Sequence, residues 1–251
     1  MTQYEMALES DRRRLIDDPA VAQVLSPSCD ERSFVRWMLR HSAYGAHMTH
    51  DAERWISAPA AQHGLPGANE QHGLPDTDGS REPARTRAPA AGYGRMLADA
   101  RATAAWWAER FSEAGALDTD ALLATAPPAS VAFYTRLREN VISGPLPFAQ
   151  LAIWYEVERL SVTVGPALVA NCRRIFGADR ACYAFLAERV EFGADYTAFR
   201  RRQVDAALTA SPSTLDVMIK TGKTALAAYA SLMTECWELA QADLRSGEAD
   251  T

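Results

Sequence analysis

Lysine is nearly missing from this 251-residue chain: Lys220 and Lys223 stand alone among 26 basic residues, against 32 acidic ones. The formal net charge of -6 leaves no basic footprint, which excludes nucleic acid and anionic membrane as expected partners. The bias toward arginine and alanine at the expense of lysine is that of a high-GC genome and says nothing about function. Cysteine is sparse as well. Cys29, Cys172, Cys182 and Cys236 lie far apart without paired spacing, so no disulfide framework is expected, and they read as buried free thiols of a reducing compartment. No apolar run reaches membrane-spanning length, and residues 1–14 are charged and lack a leader-like apolar core. A soluble, cytoplasmic protein is expected. Strand-like alternation is absent throughout.

What is present is helical periodicity. A hydrophobic content of 48% is that of a folded chain, and the apolar positions predict an all-α, single-domain bundle of about seven helices over residues 1–251. One or two short helices are expected over 4–25, with Pro19 at a first-turn position. A helix over 32–56 follows, opened by Asp30 as N-cap and striped by Phe34, Trp37, Met38, His41, Tyr44, Gly45 and Met48. Residues 57–92 turn to Pro, Gly, Ala and polar residues without a period and read as a flexible loop. Inside it Gln62-His63-Gly64-Leu65-Pro66 recurs as Gln71-His72-Gly73-Leu74-Pro75, a peptide motif or a local duplication. Further helices are expected over 93–114, 131–141, 148–176, 179–208 and 215–244, with linkers at 115–130 and around Ser143-Gly144-Pro145.

The helix over 148–176 organises the chain. Phe148, Leu151, Tyr155, Glu158, Val162, Gly165, Val169, Cys172 and Phe176 form one face, so a single carboxylate interrupts a core-facing stripe. Glu156 falls with Ala152, Arg159 and Thr163 on what reads as the wet face. A bend is expected at Gly165-Pro166. A buried carboxylate needs a cation, a metal or strong donors, and the partner of Glu158 is therefore the functional question. On 179–208, Phe185, Phe192 and Phe199 recur every seven residues, and Glu188, Glu191 and Asp195 project from one sector.

The run Trp154-Tyr155-Glu156-Val157-Glu158-Arg159-Leu160, followed by Val164-Gly165-Pro166-Ala167-Leu168, resembles the central helix of the haem-oxygenase-like superfamily. Phe34-Val35-Arg36-Trp37-Met38-Leu39 with His41 and Tyr44 is similar to that group's first long helix. Thr234-Glu235-Cys236-Trp237-Glu238-Leu239-Ala240 is similar to the closing helix of its TenA-type thiaminase branch. The resemblance covers most of the chain outside 57–92 and places the family's functional glutamate on Glu158. It implies haem oxygenases, TenA-type thiaminases, the cofactor-free pyrroloquinoline-quinone synthase or non-haem diiron oxidases of natural-product biosynthesis as relatives. For the diiron branch it implies an H-x3-D-x2-H ligand run, and Arg189, Gly193 and Tyr196 occupy those positions here. The E-x2-H pair falls near Asp99 to Thr103, where Asp99 alone could coordinate. No histidine precedes His41 to serve as a haem ligand.

Three readings stay open. Relocated ligands would form a non-haem iron or manganese site from Glu158, Glu188, Glu191, Asp195 and Asp99 with His47 or His50, making the chain an oxidoreductase that uses O2 on a small molecule. Without metal, Trp37, Tyr44, Tyr155, Glu158, Arg189 and Tyr196 would line a pocket for acid–base, cyclisation or hydrolytic chemistry, Glu235 being the TenA-type carry-over. In the third reading the chain is a non-catalytic helical binding protein whose pocket is apolar and lacks converging polar groups. Against a metal stands a plain structural alternative, in which Glu158 pairs with Arg189 or another core arginine, and Glu188, Glu191 and Asp195 pair with Arg200, Arg201 and Arg202 on the surface. The expected partners are a small-molecule substrate and, in assembly, a second copy as a homodimer.

Overall fold

Carboxylates fix the first helix boundaries. The structure, a computed structural model, describes residues 1–49, 90–111, 117–178 and 180–249. Helix α1 (Thr2–Ile16) stops at Asp17, and Asp18 caps α2 (Pro19–Leu25) by accepting the N–H groups of Ala20 at 2.9 Å and Val21 at 3.2 Å. Pro19 takes the first turn, where its missing N–H leaves no bond unmade. Asp30 accepts the Ser33 N–H at 2.9 Å and opens α3 (Glu31–Thr49), as the sequence predicts. The expected end of that helix at Ile56, the two Gln-His-Gly-Leu-Pro words and nearly all of the 57–92 segment lie outside the described residues. Then follow α4 (Ala90–Arg110), α5 (Thr119–Ala124) and α6 (Ala129–Ile142). The six residues of α5 stand where a linker is expected; Asp118 caps them through the Asp120 and Ala121 N–H groups.

The two long helices expected next are each divided. A 3-10 turn (Pro147–Ala149) leads into α7 (Gln150–Thr163), and α8 (Gly165–Phe176) starts anew after Val164. Pro166 has no N–H to continue the ladder, so the expected bend is a break. Gly177, at φ 74°, closes α8 in a conformation that side chains resist. In the second case Phe192 separates α9 (Ala184–Glu191) from α10 (Gly193–Ala210). After a 3-10 turn (Pro212–Thr214), α11 (Leu215–Ala249) ends the fold. The described residues thus hold eleven α-helices and no strand, an all-α fold with more elements than periodicity alone resolves.

At 35 residues α11 is about 50 Å long, and α1, α2, α3, α6 and α7 all pack against it. Trp37, fully buried, ties α3 to it by donating its indole N–H to the Met233 carbonyl at 3.1 Å. Gly222 lets α1 approach closely: a Cβ there would lie 2.5 Å from the Tyr4 hydroxyl oxygen and 2.6 Å from Leu8. All four cysteines are free and buried. No described helix is long and apolar enough to cross a membrane.

Helix α7 has no wet face toward α1. Glu156, expected in solvent, is 1% exposed. It accepts the Tyr4 hydroxyl at 3.0 Å and two Arg12 N–H groups, from Nε and Nη2, at 2.8 Å each. Arg12 also pairs with Glu5 at 2.8 Å, and Glu5 in turn receives Arg159 at 3.0 Å and the Tyr155 hydroxyl. This network fastens α1 to the side of α7 that the sequence pattern assigns to water. Removing one member of a buried ion pair leaves the other uncompensated, so Glu156→Ala is expected to lower the unfolding free energy by roughly 3–5 kcal/mol. Urea unfolding checks this. The double variant Arg12→Met/Glu156→Leu should recover most of the loss, and an unchanged midpoint in Glu156→Ala would show that the network does not hold the fold together.

Candidate functional site

Gln150, Trp154 and Glu158 stand one turn apart on the opposite face of α7, looking toward α9 and α10. Glu158 pairs there with Arg189 of α9. The Arg189 guanidinium also lies 4.8 Å from the Tyr196 ring centroid. One turn further along α10, Arg200 sits 4.5 Å over Trp154 and 5.3 Å from Phe199, and donates to Gln203 at 2.8 Å. Its Nε is buried and has no hydrogen-bond partner among the described residues. Arg138 of α6 donates to the Tyr134 hydroxyl at 2.6 Å. Burial pushes the Arg200 guanidinium down to about 9, and repulsion from Arg189 and Arg138 adds to the shift. Gln150 is fully buried, and among the described residues neither its amide oxygen nor its amide nitrogen has a partner.

His41 completes a neutral pair nearby. Its ring stacks on Trp37 at 4.8 Å, and its Nε2 lies 3.1 Å from the Tyr229 hydroxyl. Desolvation holds the imidazole uncharged, pushed down to about 4. Tyr229 is within electrostatic reach of Arg189 and Tyr134, so α3, α6, α7, α9, α10 and α11 all contribute polar groups to one interior region.

Of the residues that the sequence singles out, Glu158, Arg189 and Tyr196 come together. The others take separate duties. Glu188 pairs with Arg95 of α4. Glu191 is exposed, 3.7 Å from Arg180, and Asp195 is exposed in the first turn of α10. The break at Phe192 is the reason, because residues 188 and 195 belong to different helices and share no face. Arg201 and Arg202 point to solvent, whereas Arg200 is turned inward. Asp99, 2% exposed, accepts the N–H groups of Ala184 at 3.1 Å and Phe185 at 3.0 Å, and so caps α9 from another helix. Glu235 does the same for α6, accepting the Ser130 N–H at 3.0 Å where Pro128 offers no side-chain cap. Tyr155 belongs to the α1 network, Trp37 to the core, and Tyr44 accepts from Arg40 at 3.3 Å.

The expected metal ligands are therefore held by guanidinium groups, backbone N–H groups or water. Among the described residues the buried His47 Nε2 has no partner, and His50 lies outside them. Among the described residues no three His, Cys, Asp or Glu side chains are grouped so as to hold a metal ion. To hold iron or manganese, Glu158, Glu188 and Asp99 would have to leave Arg189, Arg95 and the α9 N–H groups that they meet here.

Gln150, Trp154, Arg138, Tyr134 and Tyr229 belong to this interior region without being singled out in the sequence, and Arg200 belongs to it although the sequence assigns it to the surface. Two signals for them exist: the i, i+4 series 150, 154, 158 and the i, i+4 pair Tyr196 and Arg200. Neither stands out in a chain so rich in arginine.

The cap of α9 is a titrating one. Burial pushes the Asp99 carboxyl from 3.8 up to about 7, against the pull of the N–H groups it accepts. A carboxyl raised in the folded state contributes stability below its unfolded value and loses it as pH rises through the folded value. Wild type should therefore lose stability relative to Asp99→Asn between about pH 4 and pH 7, and the difference should level off above about pH 8. Thermal unfolding across that range checks the sign; a constant difference would show that Asp99 does not titrate there.

No known family pattern matches the sequence, and no curated protein matches it. Two solved structures do. One is a domain of unknown function with a heme oxygenase-like fold from Shewanella denitrificans OS217, at a TM-score of 0.69 and 14% identity, covering 100% of this chain and 97% of that one. The other is a TenA homologue protein from P. horikoshii OT3, at a TM-score of 0.57 and 11% identity, covering 96% and 98%. Likeness across the whole length of both, at identities this low, is likeness of fold. The chain has the haem-oxygenase-like fold.

Proposed function

We propose that this chain is an enzyme that works without a metal, carrying out acid–base chemistry on a small polar organic molecule in the interior around Glu158. The observation that carries the reading is the Glu158 carboxylate itself, held by Arg189 with Tyr196 beneath the guanidinium. In this reading Glu158 takes a proton from the substrate, Arg189 aims the carboxylate, and the Tyr196 hydroxyl supplies a donor. Apolar surroundings strengthen each of these interactions. A thiolate nucleophile, the other TenA-type option, is disfavoured: Cys172 is fully buried, and burial pushes its thiol well up. That leaves a glutamate, and Glu158 is the one that faces the unmet polar groups of the interior.

The competing reading, oxidation with O2 at non-haem iron or manganese, draws on His47 and its unpartnered Nε2. It would require Glu188 to leave Arg95 and Asp99 to uncap α9.

The substrate need not be identified beforehand for the test. Purified protein is incubated with a metabolite extract, with and without a chelator, and mass spectrometry identifies species consumed or formed. The expected result is turnover that survives the chelator and falls at least about a hundredfold in Glu158→Gln, measured at a temperature where circular dichroism shows the variant still folded despite its unpaired Arg189. Turnover abolished by the chelator and restored by iron would replace this reading with the oxidative one. No consumed species would leave a binding protein.

A further inference from the structure

The interior holds more positive charge than its own carboxylates balance. Glu158 answers Arg189, but among the described residues no carboxylate reaches Arg200, whose contacts are the Trp154 and Phe199 rings and the Gln203 amide oxygen. A guanidinium stacked on an indole keeps its N–H edge open in the ring plane, and here Nε remains buried with nothing to donate to. A charge taken out of water is costly unless it is paired. Nothing in the fold requires a cation at this position, since an apolar side chain would cover Trp154 as well. The Thr197 hydroxyl, one turn before Arg200 on α10, is also buried without a partner. Gln150 stands one turn before Trp154 on α7, fully buried, with donor and acceptor both unmet. Four unmet polar atoms thus lie within one turn of Trp154 or its guanidinium, on two helices that pack on each other.

We infer that this region takes a small organic acid, its carboxylate received by the Arg200 guanidinium and a hydroxyl or amine of the same molecule received by Gln150. The inference rests on the reading of the interior as the working site and names its substrate class. The Arg200 guanidinium matches one negative charge, and the fork of a guanidinium matches the two oxygens of a planar carboxylate. The Gln150 Nε2 can donate to a carboxylate or hydroxyl oxygen, whereas its Oε1 needs an O–H or N–H, which a bare carboxylate lacks. A hydroxy or amino acid framework supplies both. Held by Arg200 and Gln150, such a molecule would extend along the α7 face toward Glu158, two turns from Gln150.

The full chain is tested by thermal shift and calorimetry with hydroxy acids of increasing size, from glycolate through mandelate to 4-hydroxybenzoate. The corresponding neutral amides, the acids without the hydroxyl, and inorganic phosphate serve as comparisons. At least one hydroxy acid is expected to raise the melting temperature while its amide does not. Arg200→Met should weaken its binding at least about thirtyfold, and Gln150→Leu should erase the preference for the hydroxy acid over the acid lacking the hydroxyl. Without ligand, Arg200→Met should melt at or above the wild-type temperature, because it removes an unpaired buried charge. A lower melting temperature in Arg200→Met would make Arg200 structural and overturn the inference, as would amides or phosphate binding as well as the acids, or no acid binding at all. Glu158→Gln separates this claim from the catalytic one: binding retained with turnover lost supports both, and binding retained with turnover unchanged overturns only the role of Glu158.

Discussion

A helix buried on both sides that carries two carboxylates sets the terms for the whole molecule. Glu156 and Glu158 are two residues apart on α7, which turns them about 200° around the axis, so they face opposite neighbours. Both are buried, Glu156 at 1% exposure and Glu158 at 8%. Each has to be met by a cation from another helix, and the two answers, Arg12 from α1 and Arg189 from α9, fix what lies on either side of α7. The two pairs differ in kind. Glu156 receives Tyr4 and two Arg12 N–H groups, whereas Glu158 has Arg189 alone among the described residues. A saturated carboxylate holds helices together; an unsaturated one beside unmet polar atoms is available to a ligand.

The same logic of remote partners governs the helix ends. Neither α6 nor α9 has a side-chain cap of its own, and Glu235 and Asp99 provide them from α11 and α4. Asp99 in particular anchors the short helix that presents Arg189 to Glu158. The position of the interior arginine thus depends on a carboxylate near its own midpoint at neutral pH, which couples the geometry of the site to α4.

Much of the fold is legible in the sequence, and the failures have a common cause. Asp18, Asp30 and Asp118 act within three residues of themselves, and local caps of that kind can be read directly, as Asp30 is. Pro166 announces the interruption after Val164, which reads as a bend, whereas the break at Phe192 hides because apolar spacing runs through it and no proline marks it. Glu158 and its pairing with Arg189 are visible in the sequence as one of the open alternatives. Glu156 reads wrongly as solvated because a one-sided stripe assumes a wet face, and α7 is enclosed by α1 as well as by α10 and α11. The duties of Asp99 and Glu235 depend on contacts across more than 80 residues, and no spacing rule reaches that far. Arg200 reads as surface charge together with Arg201 and Arg202, since a run of three like residues gives no sign that only the first turns inward.

The most direct measurement follows the arginine Nε–H resonances by NMR while a hydroxy acid is added. Arg12 and Arg200 are both interior guanidiniums, one with its Nε bonded to Glu156 at 2.8 Å and the other with its Nε unmet. The Arg12 signal is expected to stay protected and unmoved throughout, and the Arg200 signal to shift and gain protection as the acid binds. An Arg200 Nε–H as protected as that of Arg12 from the outset, and indifferent to every acid, would mean that the interior is already complete and that the site proposed around Glu158 is structural.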